Sequence, residues 1–226
     1  MNNPKSANVS MGLAGIVAIL LGPTAWLCTT VIYKLPVLTS ISESATVANR
    51  ASVVLPICLG ICFLFAACYT GYTLWERIVV KIAGCGLLLV ALQPCRSSYL
   101  DYDRIGFFGL PVATSDLVHC IGAAVGFGFI AVWVLFFFTR SDKPISEWTK
   151  QKHIRNYIYA LCGGAIIMAL VMFILSMQFV DFGPTAVFWA EQFLLTPTGI
   201  ALIVKSGLIL KDKEPQEPDH IDIEMK

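Results

Sequence analysis

Ser115, Asp116 and His119 stand close together where a polar loop runs into a long apolar segment. His119 is the only one of three histidines that falls inside an apolar run. An imidazole there can act as acid, base or metal ligand near neutral pH. Two carboxylates elsewhere, Glu43 and Glu191, could act with it as ligands or as a general base. Zinc sites usually use about three protein ligands or more. His153 lies in a charged loop and His220 in the tail, so Glu43, Asp116 and Glu191 would have to replace the missing histidines. The spacing therefore assigns neither a metal, nor another cofactor, nor a catalytic residue.

The surroundings of these residues are those of a membrane protein. Of 226 residues, 57% are hydrophobic and 14% charged, and the mean hydropathy is +0.73. A soluble domain is nearer about 25% charged. The excess is gathered into runs that match the roughly 20 helical residues needed to cross a hydrocarbon core. These runs predict an all-α, polytopic transmembrane bundle of six helices, at about 11–33, 51–74, 78–94, 117–139, 157–180 and 186–210. Residues 1–10 form a polar N-terminus, and 211–226 a charged tail expected to be disordered. Pro23 in the first helix and Pro197 in the sixth, each beside threonine, suggest kinks that hydroxyls or a neighbouring helix would repair. Trp75-Glu76-Arg77 reads as a short turn, and 95–116 as an interfacial loop rich in aromatics.

Lys and Arg set the orientation. With the N-terminus in the cytoplasm, ten cations fall in the inner segments (Lys5, Arg77, Lys81, five between 140 and 155, Lys211 and Lys213). Four fall outside: Lys34, Arg50, Arg96 and Arg104. Both termini are then cytoplasmic, in a multi-pass protein of the cell inner membrane. The net charge of +1 is uninformative, and no basic patch points to a nucleic-acid partner, so none is expected. Six of eight cysteines lie inside apolar runs, where Cys behaves as a small hydrophobe. Cys95 and Cys120 flank the long loop and could pair.

This threading puts the unusual polar groups on one side. Glu43, Gln93, Ser115, Asp116, His119, Gln178, Glu191 and Gln192 make up the expected ligand pocket. Ionisable groups in membrane segments are costly and usually face a bundle interior or a wet cavity. Ser115, His119, Gly122 and Gly126 recur at i, i+4, i+7 and i+11, one stripe of a helix. The two glycines permit close approach of another helix. His119 should thus point inward, and a contact with Glu191 is expected.

Ser-x-x-x-His at the start of a membrane helix is similar to a feature of the alkaline-ceramidase and adiponectin-receptor-like hydrolases, which implies zinc-dependent hydrolysis. A broader set of segments resembles another family. Ser40-Ile41-Ser42-Glu43, Gly84 to Pro94, His119, Arg155-Asn156-Tyr157-Ile158-Tyr159 with Cys162-Gly163, Phe188-Trp189-Ala190-Glu191 and Val204-Lys205-Ser206-Gly207 follow in order. They resemble a six-helix bacterial integral membrane protein family of unknown function, distantly similar to the DRAM-like family. That resemblance covers about 11–212. It implies a helical bundle and no established chemistry. Three readings stay open. The first is a protein that binds, senses or moves a lipid or small amphiphile through an outer-side pocket, with membrane lipids as partners. The second is a membrane-embedded metal-dependent hydrolase. The third is a structural or assembly subunit without a ligand.

Overall fold

The structure, a computed structural model, describes residues 4–32, 34, 39–47, 57, 60–61, 63, 72–97, 99, 101–141, 143–178 and 183–211. Most of the expected helix at 51–74 and the tail from 212 lie outside the described residues, as does Asp181. The described chain is helical. Its helices are α1 (Pro4–Leu27), α2 (Ile41–Val47), α3 (Leu74–Leu92), α4 (Val112–Val132), α5 (Lys150–Gln178) and α6 (Ala186–Ser206). π-helical turns extend α1 through Cys28–Ile32 and α4 through Trp133–Phe137. Among the described residues, four stretches are long and apolar enough to cross a membrane: Asn8–Ile32, Val112–Phe137, Lys150–Leu175 and Ala186–Ser206. Their outer faces carry exposed Leu13, Leu20, Ile121, Phe136, Leu161, Met168 and Phe193, as lipid-facing helices should.

Several boundaries differ from the sequence expectation for identifiable reasons. Trp75-Glu76-Arg77 is not a turn but the first turn of α3. Thr73 is the N-cap, and its hydroxyl accepts a hydrogen bond from the Glu76 N–H at 3.2 Å. The charged 140–156 loop is partly ordered, with a 3-10 turn at Ile145–Glu147 and α5 starting at Lys150. Neither proline breaks its helix. α1 runs through Pro23, and the irregularity falls below it in the π-helical turn. There Thr29 donates to Ala25 O at 2.8 Å and Thr30 to Trp26 O at 2.6 Å. In α6 the Thr198 hydroxyl donates to Leu194 O at 2.8 Å beside Pro197. Within the 95–116 loop a short antiparallel hairpin forms, β1 (Arg104–Ile105) with β2 (Leu110–Pro111). Its turn needs positive φ at Gly106 and Gly109.

Helices pack where side chains are missing. A Cβ on Gly86 would meet Gly126 N at 2.6 Å and Gly122 O at 2.8 Å, so α3 lies directly on the glycine stripe of α4. Gly15 and Gly199 do the same for α1 and α6, at 2.7 and 2.6 Å from the opposing carbonyls. α5 packs mainly on α6 and only thinly on α4. The bundle is thus an α3–α4 pair set against an α1–α5–α6 group, with α2 between them at one end.

A candidate polar site where two helix ends meet

The site begins with a missing hydrogen. Pro94 has no N–H to give Val90 O, the carbonyl one turn before it, so the last turn of α3 is left with orphan acceptors. α4 fills them. His119 Nδ1 lies 2.8 Å from Gln93 O and 3.1 Å from Val90 O. The Ser115 hydroxyl donates to Pro94 O at 2.8 Å. Ser115 and His119 share a face because they are four apart, and the glycines below hold that face against α3. The Ser-x-x-x-His spacing is therefore, first, a cap for the end of α3.

α2 has the opposite need. Ser40 is its N-cap, its hydroxyl accepting from Glu43 N–H at 2.8 Å. The next free donors, Ile41 N–H and Ser42 N–H, go to Glu191 Oε2 of α6, the second at 3.3 Å. Ser42 Oγ then lies 2.6 Å from Glu191 Oε1 and 2.9 Å from His119 Nε2. Glu191 and His119 meet through Ser42, not directly. The line Glu191–Ser42–His119 joins α6, α2 and α4, and through the carbonyls it joins α3.

Protons limit this line. Both atoms facing Nδ1 are carbonyl oxygens, so Nδ1 carries a hydrogen. A hydroxyl has one proton, yet Ser42 has an acceptor on either side. All contacts are satisfied in two ways only. Either Glu191 is protonated and donates to Ser42, which donates to His119, or Ser42 donates to an ionised Glu191 and a doubly protonated His119 donates to Ser42. Both forms are neutral overall and hold one more proton than an ionised Glu191 beside a neutral His119.

A cavity of about 70 Å³ adjoins this line. Ser42, His119 and Glu191 form its polar end, and Leu21, Leu87, Ala123, Phe127, Leu170 and Leu195 are among its apolar walls. Exposed Ala124 sits at its edge, between α4 and α5.

The other expected pocket residues divide. Glu43 is buried, but it turns to Thr39 and to Ser97, whose hydroxyl donates to it at 3.2 Å. Asp116 accepts from Arg96 N–H at 3.0 Å and pins the loop. Gln93 is fully buried with its Oε1 3.3 Å from Ser115 Oγ, while its Nε2 has no partner among the described residues. Gln192 lies against Gly22 and donates to Thr196 Oγ1. Gln178 closes α5, and its side chain lies outside what the structure describes. Cys95 and Cys120 are not joined to each other in a disulfide. Burial, followed by the charge of Glu191, pushes the Cys95 thiol well above the ordinary range.

Sequence reasoning missed two residues. Ser42 is the bridge. Glu76, buried at the other end of α3, accepts from Trp133 Nε1 at 2.9 Å. Among the described residues no three His, Cys, Asp or Glu side chains converge in a metal-binding group. Comparison of the chain with protein-family models, with curated proteins and with solved structures finds no match to any of them.

Proposed function

We propose that this is a six-helix, multi-pass protein of a bacterial inner membrane, with both termini cytoplasmic. It binds, senses or moves a small amphiphile whose head rests on Ser42, His119 and Glu191. The observation that carries this reading is the cavity itself, apolar along its length with one bonded polar line at its end. Its volume of about 70 Å³ equals roughly two waters at liquid density. That seats one hydroxyl and the carbon that bears it, with the rest of the amphiphile leaving past Ala124 into the bilayer. A neutral cluster suits an uncharged hydroxyl head, such as that of a monoacylglycerol, better than a second buried anion. The ten-to-four cation count supports an outer-facing site.

Native mass spectrometry of detergent-purified protein tests the reading. Wild type should retain a co-purifying amphiphile, or added monoacylglycerol, and His119→Ala and Glu191→Ala should lose it. Bare protein in all three would overturn it.

One observation favours a hydrolase as the second reading. His119 Nε2 lies 2.9 Å from Ser42 Oγ, within the spacing of a base and a nucleophile. Labelling of Ser42 by a fluorophosphonate, abolished in His119→Ala, would replace binding by hydrolysis.

A further inference from the structure

The opposite end of the bundle holds a second cavity, of about 330 Å³, within the range of small-molecule pockets. α5 supplies Lys152, Arg155 and Tyr159, the end of α4 supplies Phe138, α6 supplies Lys205, and Lys211 follows. No carboxylate lies in its wall among the described residues. The cations are placed, not scattered. Lys152 Nζ donates to Thr139 O at 3.2 Å and Arg140 O at 3.0 Å, the last carbonyls of the α4 segment. Arg155 donates to Leu210 O at 2.8 Å. Carbonyl acceptors account for those two, Lys152 at the end of α4 and Arg155 on the segment that follows α6.

They do not account for Lys205. Its ammonium lies 5.1 Å from the centre of the Phe138 ring, in the last turn of α6, with no hydrogen bond to a described residue. Glu76, bonded to Trp133, is the strongest charge acting on it, and Lys152 and Arg155 act on it next. One carboxylate behind the wall stands against four cations, Lys152, Arg155, Lys205 and Lys211, and that positive surplus in a partly enclosed, aromatic-floored space is costly unless an anion enters.

We propose that this cavity binds a phosphate-bearing anion, delivered by a lipid head group or as free phosphate. Lys205 and Lys211 are its direct contacts, and Lys152 and Arg155 its flanking charges. Arg and Lys on different elements suit the spread oxygens of a phosphate. Leu208 and Ile209 lie exposed between Gly207 and Lys211, where the chains of a bound lipid would run.

The test uses the full chain in nanodiscs, in three arms. One holds phosphatidylcholine alone, the second adds phosphatidic acid, and the third adds inorganic phosphate to the first. Binding is read by native mass spectrometry after release from the disc and by melting temperature. Phosphatidic acid should be retained over phosphatidylcholine, or free phosphate should raise the melting temperature. The first result names a lipid source and the second a soluble one. Lys205→Gln and Lys211→Gln should each weaken retention about fivefold, as loss of one lipid-facing charge does. Lys205→Arg should keep it. Lys211 is exposed, so its variant stays informative if Lys205→Gln does not fold. No preference for either phosphate species would overturn the proposal. So would a preference that both glutamine variants leave unchanged, because general surface charge would then explain it.

Discussion

Ser42 has one proton and two partners, and that shortage shapes the chemistry of the site. A glutamine at 191 can donate to Ser42 while Ser42 donates to His119, so the line stays complete without an ionisable carboxyl. Alanine at 42 leaves His119 Nε2 and Glu191 Oε1 without their shared partner. Ser42→Ala should therefore cost about 1–3 kcal/mol, the penalty for orphaned buried polar atoms, while Glu191→Gln stays within about 1 kcal/mol of wild type. Thermal melts in one detergent compare them. Equal losses would show that the carboxylate charge, and not hydrogen-bond continuity, holds the line. At the loop edge, the raised Cys95 thiol is protonated at neutral pH. Maleimide should modify it far more slowly in folded protein than in SDS, with little gain as pH rises to about 9, where an ordinary thiol of pKa about 8.5 has ionised. Fast labelling at neutral pH would contradict its burial. His119 and Glu191 were legible in the sequence because an ionisable group inside an apolar run is costly and rarely idle. Ser42 was not, because serine in a polar connection is ordinary and its partners stand far away in the chain.

Helix ends explain most of what the sequence left unread at the level of elements. Length and hydropathy marked where helices run, and caps decide where they start. Thr73-x-x-Glu76 and Ser40-x-x-Glu43 both have the form of a capping box, and each opens a helix in the structure. Weighing the first would have moved α3 back from the polar Trp75-Glu76-Arg77 and revealed Glu76 as a buried residue. The glycine stripe was legible from period alone, since a flat face on α4 calls for a helix against it. Its partner Gly86 has no room for a side chain. Gly86→Leu should destabilise the bundle by about 2 kcal/mol or more through overpacking. Gly128→Leu, where a Cβ meets nothing within 4 Å, should be tolerated. Yield of monodisperse protein and melting temperature read the difference. Similar behaviour of the two variants would mean that α3 and α4 do not cross there.

At the scale of the whole molecule, the described helices form two groups, tied at one end by a polar line and flanked at the other by cations. Glu191 and Lys205 stand near opposite ends of α6, roughly 21 Å apart at helical rise. The proposed orientation puts the cations on the cytoplasmic side. A single cysteine at Ser146, in a background lacking reactive thiols, should be shielded from an impermeant maleimide in intact cells and labelled after permeabilisation. Labelling before permeabilisation would invert the molecule and put the cavity inside. Occupancy of the cavity at Ser42, His119 and Glu191 by an amphiphile is read out by photocrosslinking. The probe is a monoacylglycerol with a diazirine near its head, added to the full chain in nanodiscs, with adducts mapped to single residues. Adducts are predicted on Ala123, Phe127, Leu194 and Leu195, and should disappear in Glu191→Ala. Adducts confined to the exposed Leu117, Ile121, Met168 and Phe193, and unchanged in that variant, would contradict it.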